Sequence, residues 1–301
     1  MESKNKPSRI LLKKPLSNKL VPYLFIFPAL LLTIGILYPF LLSLYYSLTD
    51  YHLGSTVTKF IGLRNYFRLF GSIYFWKSMC LTLGFAAAAV SVQLILGLSG
   101  AMLLDTDVKG VKIARSLIIL PLMMPPVVAA LMWKIMMAPN GILNYLSGLT
   151  QYSWLGSNAT ALISILIIDT WIYTPFVTVI LLAGLRSLPA EPYEAALLDG
   201  GSAWFTFRSL TLPMIKPFLI LAALFRTIDS LKAFDIIYAT TKGGPGSSTM
   251  LLQVKAYFES FRHYNMGYAL SHMMILWLVI FLISRFLVKN WGKAVRSAAR
   301  N

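Results

Sequence analysis

Glu194-Ala-Ala-Leu-Leu-Asp-Gly-Gly201 is the stretch from which the fold of this chain is best inferred, and Leu212-Pro-Met-Ile-Lys-Pro217 follows it. Both lie in a polar segment between two long apolar ones. Pro192 suits a first helical turn, and Glu191 complements the positive end of the helix dipole. Gly200 favours a break, because glycine adopts a positive φ at little cost. The segment therefore begins as a helix that ends at the glycine pair.

A second short helix is predicted from Ser202 to Leu210, after the glycine pair. It carries aromatic side chains, among them Trp204 and Phe205, between polar residues. Pro213 is expected to close this helix and to begin the next apolar stretch. A helix–glycine–helix segment that cannot bury its own aromatic side chains needs a partner surface.

The composition identifies an integral membrane protein. Of 301 residues, 57% are hydrophobic and 13% are charged, and the mean hydropathy is +0.69. A soluble domain does not need so much apolar surface. The net charge of +16 has two interpretations, a nucleic-acid footprint or basic residues placed by membrane topology. The single cysteine, Cys80, excludes an internal disulfide within this sequence and is interpreted as a small apolar residue.

Six stretches are long and apolar enough to cross a bilayer, which requires about 20 residues of helix. Hydropathy is lowest in the fifth, because four charged residues fall inside it. The first stretch is far longer than a signal-peptide core and is interpreted as a retained anchor. The predicted fold is therefore all-α, with six transmembrane helices: Val21–Ser47, Ser78–Leu103, Leu117–Met137, Ala161–Leu185, Phe218–Tyr238 and Tyr268–Val288.

The distribution of basic residues predicts the orientation. With the N-terminus placed inside, 17 lysines and arginines fall on the inner side, 7 fall on the outer side and 3 lie within spans. This excess places both termini and the Glu-Ala-Ala segment in the cytoplasm. The positive charge is thus explained by topology, and we expect no nucleic-acid partner.

The chain divides into five predicted parts. The external loop contains Phe60-Ile-Gly-Leu-Arg-Asn-Tyr66, whose aromatic and basic residues are typical of a short helix on the membrane surface. The parts are a basic cytoplasmic tail (1–20), a first transmembrane helix (21–48), an external loop with a surface helix (49–77), a five-helix core (78–290) that includes a cytoplasmic loop (187–213), and a cytoplasmic tail (291–301).

The Glu-Ala-Ala segment resembles the cytoplasmic loop of bacterial ABC importer permeases, whose transmembrane domain has the type I, MetI-like fold. In that family the loop forms a coupling helix that docks in a groove of the ATP-hydrolysing subunit. The chain departs from the family at Gly201, where alanine is usual. The resemblance implies the following ATPase-coupling residues: Glu194, Ala195, Ala196, Asp199, Gly200, Gly201, Phe205, Leu212 and Pro213.

A second stretch, Phe234-Asp-Ile-Ile-Tyr-Ala-Thr-Thr-Lys-Gly-Gly-Pro-Gly246, turns outside the membrane. It resembles permeases of carbohydrate importers of the maltose, trehalose and glycerol-phosphate type. The resemblance implies a bacterial or archaeal cell membrane, a carbohydrate substrate and contact with membrane lipid. It also implies a second homologous permease, an ATPase dimer that binds ATP and Mg²⁺, and an extracytoplasmic sugar-binding protein. No cofactor and no catalytic residue are expected in this chain.

Charged residues within spans mark a pathway or an internal pair. Arg226, Asp229, Lys232 and Asp235 are spaced by three, so successive members would lie on adjacent turns of one helix. A polar stripe facing a water-filled path and two mutually neutralising ion pairs are equally good interpretations. Asp169 could line the path or pair with Arg226 or Lys232, and we favour pairing because an unpaired carboxylate there is destabilising.

The resemblance to maltose-type permeases also implies sugar contacts on the fifth and fourth helices. Aromatic faces stack on sugars, and planar polar groups bridge hydroxyls. His272 is interpreted as a packed polar residue, and no spacing of histidine or cysteine suggests a metal site. The substrate-path residues implied are Asp169, Tyr173, Phe176, Arg226, Asp229, Ser230 and Ala233.

Several other functions compete with a carbohydrate permease. No nucleotide-binding Gly-x-x-x-x-Gly-Lys motif and no catalytic triad occur in the sequence. An ion-coupled secondary transporter would need inverted repeats and no Glu-Ala-Ala loop. A scaffolding membrane protein would not explain the charges inside the membrane. An ABC permease for glycerol phosphate, an amino acid or another small solute is the nearest alternative.

Overall fold

The computed structural model describes residues 21–106, 108–149 and 151–298, so the predicted basic tail 1–20 lies outside it. The described residues are predominantly helical, as the composition predicts. The helices are α1 (Val21–Ser47), α2 (Arg64–Phe70), α3 (Ile73–Leu104), α4 (Val111–Ile119), α5 (Pro126–Met136), α6 (Ile142–Ser147), α7 (Ala161–Arg186), α8 (Glu191–Leu198), α9 (Ala203–Thr206), α10 (Leu212–Leu231), α11 (Asp235–Thr240), α12 (Leu252–Phe261) and α13 (Met266–Ala298).

The structure has five to six apolar spans where the sequence predicts six, and the third predicted span is not a single helix. Five helical segments of the described residues are long and apolar enough to span a bilayer, and a sharply bent helix pair makes a sixth if it forms one span. In that pair α4 and its 3₁₀ continuation meet α5 at 96°. The predicted helix Leu117–Met137 is wrong here, because Pro125 and Pro126 force the residues before them into extended backbone (Met124 ψ 137°, Pro125 ψ 132°).

The fifth crossing ends earlier than predicted. Helix α10 stops at Leu231, Lys232 caps it, and Asp235 begins the separate helix α11. Phe234 between them stacks on Tyr238 with ring centroids 5.2 Å apart, so aromatic packing redirects the chain. The prediction that the four charges lie on adjacent turns of one helix is therefore wrong for Asp235.

The second helix of the Glu-Ala-Ala segment does not end at Pro213. Helix α9 starts on Ser202, whose Oγ accepts a hydrogen bond from Phe205 N at 3.3 Å, and continues through a π-helical turn, Phe207–Thr211, into α10. Pro213 lies in the first turn of α10, where its missing N–H is tolerated. The segment after the glycines is thus continuous with a transmembrane helix.

Two of the long helices extend beyond the predicted spans Ser78–Leu103 and Tyr268–Val288. Helix α3 begins at Ile73, inside the predicted external loop 49–77, because Phe75 is fully buried against Leu69 of α2. Helix α13 continues to Ala298, into the predicted tail 291–301, where alanine, lysine and arginine are strong helix formers.

The core between α3, α7 and α10 is closely packed. A Cβ at Gly97 in α3 would lie 2.5 Å from Cγ1 of Val177 in α7. Small residues allow such close approach of helices in membranes. Beside it, Val177, Leu181, Ile215 and Ala222 form a buried apolar cluster. This packing fixes the relative positions of the three helices that carry the buried polar residues described next.

Candidate functional site

Three polar side chains from three helices meet in a closed hydrogen-bonded ring. Arg226 Nε on α10 donates to Gln93 Oε1 on α3 at 2.7 Å. Gln93 Nε2 donates to Asp169 Oδ2 on α7 at 2.7 Å, and Arg226 Nη2 lies 3.2 Å from the same oxygen. Each residue is at most 1% exposed. A buried ion pair needs hydrogen-bond partners for its remaining polar groups, and Gln93 supplies them to Arg226 Nε and to Asp169 Oδ2.

The guanidinium of Arg226 has further partners. Nη2 also donates to Ser230 Oγ at 3.0 Å, and the group lies 4.0 Å from the ring centroid of Tyr173. A planar cation on an aromatic face is a favourable arrangement that tolerates desolvation. We call Gln93, Asp169, Tyr173, Arg226 and Ser230 the buried polar cluster.

One edge of this cluster reaches an exposed surface. Arg226 Nη1 lies 3.7 Å from Asp229 Oδ2, and Lys232 Nζ lies 3.7 Å from Asp229 Oδ1. The side chains of Asp229 and Lys232 are 53% and 51% exposed. The charges therefore form one connected row, Asp169–Arg226–Asp229–Lys232, with one buried and one accessible end. Such an accessible end can offer a solute both hydrogen-bond donors and acceptors.

The structure brings five of the seven predicted path residues together and leaves two apart. Asp169, Tyr173, Arg226, Asp229 and Ser230 are in the cluster or at its edge. Phe176 instead packs on Phe225, with ring centroids 6.1 Å apart. Ala233 packs against the apolar core beyond the end of α10. Asp169 is paired with Arg226 and not with Lys232.

Gln93 was not among the predicted site residues. Its amide lies in the middle of the apolar helix α3, and a polar residue in such a position is a signal for interhelical hydrogen bonding. The sequence alone does not indicate its partners, because Asp169 and Arg226 are 76 and 133 residues away along the chain.

The Glu-Ala-Ala segment forms a second notable region. Helix α8 ends in a Schellman motif, in which Gly200 N donates to Leu197 O at 3.2 Å and Gly201 N donates to Ala196 O at 2.8 Å. Gly200 has φ +73°, so the predicted positive-φ break is confirmed. The hydroxyl of Tyr193 on α8 donates to Thr211 Oγ1 in the π-helical turn at 3.2 Å, linking the two halves of the segment.

This segment exposes apolar side chains. Leu198 is 89% exposed, Trp204 68% and Phe205 56%. Glu194 is exposed and takes part in none of the ion pairs of the described residues. Exposed apolar patches of this kind mark protein–protein contact sites. We call the exposed side chains of residues 194–205 the loop surface.

The described residues contain no group of three or more His, Cys, Asp or Glu side chains that could hold a metal ion. His272 is fully buried, and its Nδ1 lies 2.9 Å from the carbonyl oxygen of Tyr268. Its ring packs edge-to-face on Phe75 with centroids 5.9 Å apart. It is a packed polar residue of the helix interface, as its isolation in the sequence suggests.

Comparison with known proteins places these two regions in a family. Residues 93–296 match the family described as "Binding-protein-dependent transport system inner membrane component". The matched residues include Gln93, the rest of the buried polar cluster and the whole loop surface. The matched region is about two thirds of the chain.

Individual relatives are similar over most of their length. The chain is 42% identical over 212 residues to the trehalose/maltose transport system permease protein MalF of Thermococcus litoralis, covering 69% of this chain and 70% of that one. It is 30% identical over 283 residues to the trehalose transport system permease protein SugA of Mycobacterium tuberculosis, covering 93% and 91%.

The fold also matches a solved structure of a bacterial ABC transporter involved in the import of the acidic polysaccharide alginate. The TM-score is 0.79 at 19% identity, with 91% of this chain and 95% of that chain covered. This likeness shows the fold, which is that of type I ABC importer permeases. The chain therefore belongs to the binding-protein-dependent transport system inner membrane components, the permease subunits of ABC importers.

Proposed function

We propose that this chain is the permease subunit of an ATP-driven importer that carries a carbohydrate of disaccharide or oligosaccharide size into the cytoplasm. The observation that carries the proposal is 42% identity to a trehalose/maltose permease over 212 residues. A relative named for trehalose transport, matched over 93% of the chain, supports the same solute class.

The exposed edge of the buried polar cluster is the proposed solute contact. Asp229 and Lys232 present a carboxylate and an ammonium side by side, and Tyr173, whose ring packs on the Arg226 guanidinium, is the aromatic residue of the cluster. Sugars need planar acceptors for their hydroxyls and an apolar face for their C–H groups. Asp169, Arg226 and Ser230 are buried, so their proposed role is to hold this edge in place. Phe176 and Ala233 are proposed to line the path farther from the charges.

The loop surface is the proposed ATPase contact. The proposed coupling residues include Glu194, Ala195, Ala196, Asp199, Gly201, Phe205, Leu212 and Pro213. Trp204 and Phe205 supply exposed aromatic area for docking, and Gly200 sets the angle between α8 and α9. Because the segment from Ala203 to Leu231 is one continuous helix, a displacement of the loop moves α10 and with it Arg226 and Asp229. This connection would transmit ATPase closure to the solute path.

The proposed assembly contains a second homologous permease, an ATPase dimer that binds ATP and Mg²⁺, and an extracytoplasmic sugar-binding protein. The excess of basic residues on one side supports cytoplasmic termini. Solute released by the binding protein enters when ATP binding favours the outward-open state. ATP binding can favour the outward-open state only if the assembly makes different contacts in the outward-open and inward-open states.

Reconstitution tests the proposal against an ion-coupled transporter. We would tag the chain, purify what it binds in mild detergent, and reconstitute the product into proteoliposomes. With the binding protein and ATP present, we expect uptake of radiolabelled trehalose or maltose. ATP-independent uptake by the chain alone, driven by an ion gradient, would overturn the proposal. Co-purification of an ATPase with uptake of an amino acid and no sugar would overturn its solute class.

A further inference from the structure

One nitrogen of Arg226, Nη1, takes no part in the hydrogen bonds of the buried polar cluster. A guanidinium has five N–H donors. Nε is taken by Gln93, and Nη2 is shared by Asp169 and Ser230. Nη1 is buried without a hydrogen-bond partner among the described residues, and the carboxylate of Asp229 faces it at 3.7 Å. The spare donors of Arg226 thus point toward the accessible end of the charge row.

We propose that Gln93 is a positioning residue that keeps Arg226 Nη1 directed at Asp229, and thereby sets the orientation of the acid that meets the solute. This inference rests on the proposed function, in which Asp229 contacts the solute. Gln93 itself is fully buried, and its side chain hydrogen-bonds to Asp169 and Arg226. Its effect on Asp229 passes through Arg226.

The geometry without Gln93 explains why its amide matters. Arginine and a carboxylate prefer a two-pronged contact through Nε and one Nη. In this structure Gln93 holds Nε, and it also donates to Asp169 Oδ2, the oxygen that receives Arg226 Nη2. If Gln93 lost both functions, Arg226 would turn to grip Asp169 through Nε and Nη2. That rotation withdraws Nη1 from Asp229, which would then have Lys232 as its cationic neighbour.

A thiol reporter tests this arrangement without any solute. Cys80, the single cysteine of the sequence, is replaced by alanine, and Asp229→Cys places a thiol beside Nη1. A nearby guanidinium stabilises the thiolate, which is the reacting form. We expect Gln93→Met, a substitution of similar length, to slow maleimide labelling about fivefold at neutral pH. Gln253→Met, at a partly buried glutamine of α12, is the matched control and should leave the rate unchanged.

Two further variants keep the test decisive. Gln93→Glu retains an acceptor for Arg226 Nε, so labelling should stay within about twofold of the parent rate. If Gln93→Met does not accumulate in membranes, Gln93→Asn replaces it with the same expectation, because the shorter side chain cannot reach both Arg226 and Asp169. Equal labelling rates in the parent and in Gln93→Met, or in the parent and Gln93→Asn, overturn the inference.

A double-variant cycle then connects the geometry to transport. In proteoliposomes carrying the assembled transporter, Gln93→Met and Asp229→Asn should each raise the trehalose concentration for half-maximal uptake about tenfold. The double variant should be no worse than either single one, because both remove the same contact. Multiplying effects overturn the positioning role, since they are expected if Gln93 only stabilises the fold. Failure of trehalose and maltose uptake in the parent contradicts the proposed function, whereas the thiol reporter still decides the role of Gln93.

Discussion

Arg226 and Asp169 form an ion pair inside the membrane-spanning part of the molecule, with 3.2 Å between Nη2 and Oδ2 and at most 2% of either side chain exposed. The pair joins α10 to α7, and Gln93 joins both to α3. Removing one partner of this pair should cost more stability than breaking a surface pair, because the other partner would remain as a buried charge without compensation.

Breaking this pair should destabilise the chain strongly. We expect Asp169→Leu to cost about 3–5 kcal/mol, because Arg226 is then left buried without an acid. Thermal unfolding of the detergent-purified protein would measure it. Asp105→Asn, which breaks the exposed pair between Asp105 and Arg186 (3.4 Å), is the control and should cost less than about 1 kcal/mol. Asp169→Leu with Arg226→Met should recover much of the loss. Equal melting temperatures for Asp169→Leu and Asp105→Asn would contradict this account.

The close approach of α3 and α7 at Gly97 gives a second prediction. Gly97→Ala should cost about 1–3 kcal/mol, because the added methyl group would lie 2.5 Å from Val177 Cγ1. Val177→Ala in the same chain should restore part of the stability. Gly84→Ala on the same helix meets no atom within 4 Å and should be neutral or stabilising by up to about 1 kcal/mol. If both alanine variants melt alike, the packing described here is wrong.

The turn at Gly200 should matter through its backbone conformation alone. No atom lies within 4 Å of a Cβ built there, but φ is +73°, which costs other residues about 1–2 kcal/mol. We expect Gly200→Val to reduce solute-stimulated ATP hydrolysis in the assembled transporter. Gly200→Asn should retain most of it, because asparagine adopts this conformation more readily. Equal activity of the two variants would refute a role for the turn angle.

Exposed aromatic residues of the loop surface should affect assembly and not stability. Trp204 is 68% exposed, so Trp204→Ala should leave the melting temperature of the isolated chain unchanged. If Trp204 is an anchor for the ATPase, its loss should weaken association by about 2 kcal/mol, or roughly 30-fold. Titration of the ATPase subunit would measure this. Tyr145→Ala, at an aromatic residue that is 85% exposed elsewhere, is the matched control and should bind normally.

Some of the fold was predictable from local sequence alone. Long apolar stretches predicted six crossings, since backbone polar groups in lipid are satisfied within a helix. The glycine pair predicted the end of α8, because its positive-φ requirement is a property of the residue itself. The predicted boundaries failed where packing competes with propensity. Phe234 lies outside α10 and stacks on Tyr238. Pro213 does not end the preceding helix, because the π-helical turn Phe207–Thr211 joins α9 to α10.

The candidate site was also predictable from the sequence only in part. A carboxylate and a guanidinium in apolar helices predicted a buried pair, since neither is stable there alone. The sequence did not reveal Gln93, because an amide has no charge to demand a partner and its contacts are 76 and 133 residues away. It also did not reveal that Asp229 is half-exposed while Ser230, the next residue, is buried.

The sequence by itself determined that this chain is an all-helical membrane protein with a Glu-Ala-Ala loop. Apolar length, glycine conformation and the spacing of a family motif are all properties of contiguous residues. Only the tertiary structure decided which polar groups share one site. Asp169, Arg226 and Gln93 meet because α3, α7 and α10 share one buried apolar cluster, and the position of Asp229 at the edge of that packing leaves it accessible. Burial and exposure are properties of the packed helices and not of any single segment, which is why this division appears only in the folded chain.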